Sequence, residues 1–264
     1  MVAISYNRGI IVSRPPRSLM ENKPAASAAS ATPSGPRRTR DRILAVSLRL
    51  FNDLGEPNVT TTTIAEEMEI SPGNLYYHFR NKDDIINSIF AGFEQEIERR
   101  LKLPSDHKAT LDETWGYLQY MSEFLWNYRF LYRDINDLLA RNRLVEINFK
   151  RIVEQKKRFA MDMCQVFIAD GEMDITPQQL DAVCTNIVVV ATYWLSFQFV
   201  QQPRKYNDPE AIRAGLHGGS YHILSILAPY LRGKQRAAFD RLAADYVTSL
   251  AAGTATAPAS RTTP

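Results

Sequence analysis

Between Thr60 and Lys82 the chain concentrates side chains suited to directional polar contacts. The run "ISPGNLYYHFRNKDDI", residues 70–85, holds Asn74, Tyr76, Tyr77, His78 and Lys82 on a piece too short to bury a core of its own. Tyrosine hydroxyls bond phosphates, tyrosine rings touch thymine methyls, and an asparagine amide reads a base edge. His78 can donate to a phosphate, Lys82 supplies a cation, and Gly73 beside Pro72 lets a helix N-terminus come close to a neighbour. Thr61 and Thr62 are hydroxyl partners for phosphate, and amides near Ser71 favour an anion. This grouping suits a duplex groove. Two exposed tyrosines on a two-helix corner would also suit protein docking, and His78 would serve equally as a packing or capping residue.

Bond-making chemistry has no comparable support. There is no G-x-S-x-G, no P-loop and no glycine-rich phosphate cradle, so no catalytic residue and no cofactor is expected. His217 and His222 are five apart, off the i, i+4 spacing of a helical metal pair, and no metal is expected. Cys164 and Cys184 have neither metal nor redox spacing and read as buried free thiols.

The polar residues need elements to hold them. Ile43, Val46, Leu50, Phe51 and Leu54 form the stripe of an amphipathic helix that Gly55 and Pro57 end. Thr60 starts a second helix as its N-cap, with Val59 and Ile64 spaced as a hydrophobic staple. The signal then repeats with Ile70, Ser71 as N-cap, Pro72 at the first helical position and Leu75 as staple partner. Two short helices about three residues apart have helix-turn-helix spacing. Leu75 and Phe79 should face inward against Ile43, Leu50 and Ile64, leaving Pro72, Gly73, Asn74, Tyr76 and Tyr77 outward.

Residues 38–86 resemble the DNA-binding domain of TetR-family transcriptional regulators, through the first helix, "T...IAEEM.IS", "LYYHF" and "NKDDI". The resemblance implies that Pro72, Gly73, Asn74 and Tyr76 fall at base-reading positions and Thr60, Tyr77, His78 and Lys82 at phosphate-clamping ones. It further implies a homodimer on a palindromic double-stranded DNA operator, a repressor role, and late helices forming the dimer interface. One departure stands out: Glu69 occupies a turn position where the family usually has glycine, and a left-handed non-glycine there costs roughly 1 kcal/mol.

Helical patterning continues beyond the motif, so the fold class is all-α, with a larger C-terminal helical domain for ligand binding and dimerisation. The stretch "TLDETWGYLQYMSEFLWNYRFLYRD", 110–134, is apolar nearly all round and therefore buried, leaving Gln119, Ser122 and Asn127 in need of partners. It reads either as dense core or as the wall of a cavity for an apolar or aromatic effector, with Trp115, Leu118, Gln119, Ser122, Trp126, Phe167 and Trp194 as candidate ligand contacts. Small residues Ala214, Gly215, Gly218, Gly219 and Ser220 make helices near 177–201 and 209–230 the candidate dimer seam.

The expected organisation is a disordered basic leader at 1–36, the DNA-binding domain at 37–83, the effector and dimerisation domain at 84–250 and a disordered tail at 251–264. Net charge is only +3 over 264 residues, but residues 1–40 hold seven cations against Glu21 alone. Of these, Arg37, Arg38 and Arg40 adjoin the motif and are candidate phosphate or minor-groove contacts. Met20 is an alternative start. The longest apolar stretch, 187–200, is interrupted by Thr192, Ser196 and Gln198 and falls short of the ~18 to 20 residues of a membrane span. With no secretory signal visible, the cytoplasm is the expected location. Two rival readings are a helical lipid-binding carrier and an enzyme on the aromatic cavity, each using the short helices to dock protein.

Overall fold

The computed structural model describes residues 35–102 and 110–251. The expected leader and tail lie outside the described residues, apart from positions 35, 36 and 251, which are helical. Among the described residues the structure consists of α1 (Gly35–Leu54), α2 (Thr61–Glu67), α3 (Pro72–His78), α4 (Lys82–Arg100), α5 (Leu111–Trp126), α6 (Arg129–Arg133), α7 (Ile135–Arg141), α8 (Arg143–Ala169), α9 (Pro177–Gln201), α10 (Pro209–Leu227) and α11 (Gly233–Ala251). Short 3-10 turns lie at Glu56–Asn58, Pro203–Lys205 and Ala228–Tyr230, and the one extended pairing described is an isolated bridge between Met173 and Leu231. The all-α expectation holds.

Two compact units are present. The first holds residues 35–100 with 127–152, the second 101–126 with 153–251. In the first unit, the local signals act as written. Thr60 accepts the Thr63 amide at 3.1 Å, and Ser71 accepts the Asn74 amide at 3.2 Å. Val59, Ile64 and Leu75 are wholly buried, as are Ile43 and Phe51. Those apolar anchors fix the orientation of α3.

Residues 110–134 are not one helix. The chain breaks at Asn127–Tyr128, and the backbone groups that would have continued the ladder find a distant partner. Buried Asn52 donates its side-chain amide to the Asn127 carbonyl at 2.9 Å and accepts the Phe130 amide at 3.1 Å. Arg133 donates to the Phe51 and Asn52 carbonyls at 2.7 and 3.2 Å, satisfying the C-terminal end of α1. These contacts span 75 to 82 residues of sequence, which is why local patterning did not reveal α6 and α7.

In the second unit, α5, α8, α9, α10 and α11 enclose a core that includes Trp115, Met163, Phe167, Leu180, Leu224 and Phe239. Helix α9 begins with a full capping box: Thr176 accepts the Gln179 amide and the Gln179 side chain accepts the Thr176 amide. As an unbroken 25-residue helix, α9 meets the length and composition of a membrane span, contrary to the shorter apolar stretch counted in the sequence. A core helix meets the same test, and Leu180, Val183, Cys184, Ile187, Val188, Thr192 and Leu195 of α9 are buried against the rest of the unit.

Candidate nucleic-acid interface and ligand cavity

Helix α3 displays what the sequence places on it. Pro72, Gly73, Asn74, Tyr76 and Tyr77 are exposed, and Leu75 and Phe79 are buried. Tyr76 is 50% and Tyr77 78% exposed, high for aromatic rings on a domain with a formed core. The Tyr76 hydroxyl lies 3.0 Å from Thr61 Oγ1, which ties α3 to α2 and fixes where that ring stands. Tyr77 meets His78 edge to face at 5.1 Å. Thr62 is exposed in the first turn of α2, while Thr60 and Ser71 spend their hydroxyl oxygens as caps.

Gly73 carries a separate signal. A Cβ built there meets only Ser71 Oγ, at 3.9 Å, so the fold itself has room for a side chain. Glycine in a helix costs about 1 kcal/mol relative to alanine. The residue therefore forgoes stability for an open surface at the start of the exposed face.

The cations divide. Arg37 and Arg38 are exposed on the first turn of α1. Arg40 instead lies 4.6 Å over the Phe79 ring and donates to Ser88 Oγ at 3.0 Å, bracing α1 against α3 and α4. Lys82 turns inward. Its ammonium is 2.8 Å from Glu56 Oε1 and donates to the Glu56 and Val59 carbonyls at 3.1 and 3.0 Å. The Glu56 side chain is fully buried and pairs also with Arg141, which reaches Asp83 and Asp137 as well. In this arrangement Lys82 is a strut of the motif.

Glu69 adopts φ 56°, in the left-handed region. The turn is closed by Glu69 N–H donating to the Glu66 carbonyl and Ile70 N–H to the Ala65 carbonyl, both at 3.0 Å.

The second unit contains an apolar cavity of about 120 Å³. Of the proposed ligand contacts, Leu118, Ser122, Phe167 and Trp194 line it. Trp115 is in the core cluster, and Trp126 packs on Tyr206 at 5.1 Å beside a separate cavity of about 20 Å³. Gln119 is buried away from the lining, and its side-chain nitrogen has no hydrogen-bond partner. The 100° step of the helix sends positions 115, 119 and 126 to a different side of α5 from 114, 118, 121 and 125. Sequence reasoning passed over Lys156, Met163 and Cys164 on the α8 wall. Lys156 was legible as a charge at an apolar register of that helix. Burial pushes its amine down to about 7. Cys164 and Cys184 are both buried and free, and share a thiol hydrogen bond that, with burial, pushes the Cys164 thiol up.

The glycines of α10 do not form an exposed seam. Gly215, Gly218 and Gly219 are buried against α9 of the same chain. A Cβ on Gly219 would stand 2.8 Å from Trp194 Cδ1 and Nε1, and the indole N–H donates to the Gly215 carbonyl at 2.6 Å. Gly218 and Gly219 leave the space that this indole fills, and Gly215 leaves room for the Gln198 side chain. Among the described residues there is no cluster of metal-binding side chains, and the His217 imidazole is held below its usual range by burial and by Arg213.

Known proteins share this arrangement. Residues 43–89 match the family model described as bacterial regulatory proteins of the tetR family, and residues 92–239 match that of the bacterial transcriptional repressor TetR. A TetR-family regulator from Marinobacter aquaeolei VT8 superposes with TM-score 0.70 at 34% identity, over 79% of this chain and 98% of that one. The regulator HbdR of Aromatoleum sp. (strain CIB) is 25% identical over 214 residues, 77% of this chain and 85% of HbdR. The regulator AcrR of Shigella flexneri is 34% identical over 80 residues, and the matched part spans only 37% of AcrR. With an exposed helix-turn-helix face, an all-helical second unit and family matches through both, the chain belongs to the TetR family of transcriptional regulators, which bind DNA and are not enzymes.

Proposed function

We propose that this regulator is a repressor that binds a palindromic operator as a homodimer and releases it when an apolar or aromatic small molecule enters the second unit. One observation carries the reading. The outer face of α3 keeps Asn74, Tyr76 and Tyr77 in solvent and gives up helix stability at Gly73 to stay open. In this reading Pro72, Gly73, Asn74 and Tyr76 meet base edges, with Ser71 at the helix entry. Thr60, Thr61, Thr62, Tyr77 and His78 line the phosphates, with Arg37 and Arg38 adding a salt-dependent share. Lys82 and Arg40 act one step removed, by holding the helices.

For the dimer, the supporting surface is on α9. Val189, Tyr193, Phe197 and Val200 are exposed and recur at helical spacing along one side, an apolar stripe of the kind that marks an interface rather than a membrane-facing span. Two α3 helices then lie one turn of DNA apart, ~34 to 36 Å, or a multiple of it. The repressor role is supported by the description of the matching family model. Action on chromosomal DNA puts the protein in the cytoplasm.

The effector acts by binding one conformational state better than the other, and shifts the equilibrium only by that difference. The apolar cavity supplies a place for it.

The decisive test is a random-duplex selection with the purified protein, followed by anisotropy titration of the winning sequence. Gly73→Ala should raise thermal stability slightly while weakening the selected duplex at least tenfold, because a methyl group intrudes where the groove approaches. Asn74→Ala should cost about 1–3 kcal/mol at one base position. Equal operator affinity for wild type, Gly73→Ala and Tyr77→Ala would remove α3 as the reading helix.

A further inference from the structure

Ser122 of α5 stands on the wall of the 120 Å³ cavity in the second unit, one turn after Leu118 and one turn before Leu125, which line it too. The other polar lining is spent within the chain. The Thr114 hydroxyl donates to the Thr110 carbonyl at 2.9 Å, the Trp194 indole N–H donates to the Gly215 carbonyl at 2.6 Å, and the Cys164 thiol shares a hydrogen bond with Cys184. Lys156, the one charged residue of the lining, and Tyr117 are likewise engaged inside the fold. Ser122 differs from all of these. It is half-buried, and among the described residues its hydroxyl has no hydrogen-bond partner. No carboxylate lines the space.

We propose that the cavity takes a neutral apolar molecule carrying one hydroxyl or carbonyl oxygen, with that oxygen hydrogen-bonded to the Ser122 hydroxyl and the body packed against the aromatic walls. This rests on the effector reading above and narrows it to one ligand class. The walls suit a flat body. Tyr117 and Phe159 stack at 5.0 Å with 29° between their planes, and the Trp194 ring is held by its own hydrogen bond and by its fit against Gly219. A serine hydroxyl donates one O–H and accepts on two lone pairs, so it meets a ligand hydroxyl or a carbonyl equally. A charged group fares worse. A ligand ammonium finds no carboxylate in the lining, and a ligand carboxylate must compete with the interaction that Lys156 already makes. Either ion leaves water without a dedicated counter-charge, which costs more than one hydrogen bond returns. A cavity of about 150 Å³ holds benzene, so about 120 Å³ sets the scale of a probe at one ring.

The full chain is titrated near neutral pH by calorimetry with p-cresol, toluene, p-toluate and benzylammonium, single-ring molecules that differ in their polar group. p-Cresol should bind saturably and at least tenfold more tightly than either ion. Ser122→Ala should weaken p-cresol threefold or more, leave toluene within twofold and still melt cooperatively. Should that variant fail to fold, Ser122→Cys keeps the shape of the side chain, weakens its hydrogen bond and carries the same expectation. No saturable binding of p-cresol, either ion binding as tightly as p-cresol, or a p-cresol affinity unchanged by the substitution overturns the proposal. Operator release is measured separately by anisotropy: p-cresol that binds through Ser122 yet leaves duplex affinity untouched refutes the effector reading while the Ser122 assignment stands.

Discussion

The Lys82 ammonium sits 2.8 Å from the buried carboxylate of Glu56 and donates to the same residue's backbone carbonyl at 3.1 Å. One side chain thus pairs with a buried acid and satisfies two carbonyls, Glu56 in the 3-10 turn and Val59 just after it, on the way into α2. Removing it leaves Glu56 with Arg141 as its remaining counter-ion. We expect Lys82→Ala to destabilise the protein by about 1–3 kcal/mol in chemical denaturation. Paired with Glu56→Gln in a double-mutant cycle, the two changes should be strongly non-additive. The slope of log affinity against log salt for the operator should stay unchanged. A slope reduced by about one would mean that the ammonium leaves Glu56 for a phosphate in the complex.

Glu69 holds a left-handed backbone that a side chain adopts at a cost, in the turn between α2 and α3. Glu69→Gly should raise stability by about 0.5–1 kcal/mol, since the native conformation suits glycine and only part of the gain is lost to unfolded-state freedom. It also removes an anion from the vicinity of α3, so duplex affinity should rise or hold. A loss of stability in the glycine variant would mean that the Glu69 side chain contributes more than its backbone strain costs.

Trp194 and Gly219 are in close contact within one chain, so a side chain at Gly219 attacks the fold rather than an assembly. Gly219→Ala should cost about 1–3 kcal/mol through overpacking, with the folded fraction keeping its sedimentation coefficient. Phe197→Asp, on the exposed stripe of α9, should do the opposite: near-normal stability and a shift to monomer. Monomers from a well-folded Gly219→Ala variant would return the seam to α10.

The buried amine of Lys156 links stability to pH. Its folded value is lowered to about 7, while the unfolded chain keeps the ordinary lysine value near 10.4. Between those limits the unfolded state binds more protons than the native one, so stability rises with pH across that window, with a slope approaching about 1.4 kcal/mol per pH unit. Lys156→Met should lose that slope. The comparison is made by denaturant melts of both proteins from pH 6.5 to 9.5. The same slope in both variants would mean that the amine is solvated in the native state.

Much of the reading unit was legible because its signals are local. Thr60 and Ser71 cap the helices they precede, Pro72 opens α3, and the pairing of Leu75 and Phe79 decides which side of a two-turn helix is outward. These depend on neighbours within a few residues, and a short helix has too few alternatives to hide them. The limits of α9 followed for the same reason, from Thr176 and Pro177.

What tertiary structure alone decided were the contacts made over long stretches of chain. Nothing near position 127 announces that Asn52 will take over its backbone groups, so the break that creates α6 and α7 depends on a residue 75 positions away. Lys82 reads as a free cation until Glu56 is seen buried beneath it. The glycines of α10 read as a meeting place for a second chain until the indole of Trp194 is found in the same space. Periodicity tells a side chain's direction on its own helix, while the group that meets it there is set by how distant segments pack, and in this protein that packing assigned the cations, the glycines and the wall of the cavity.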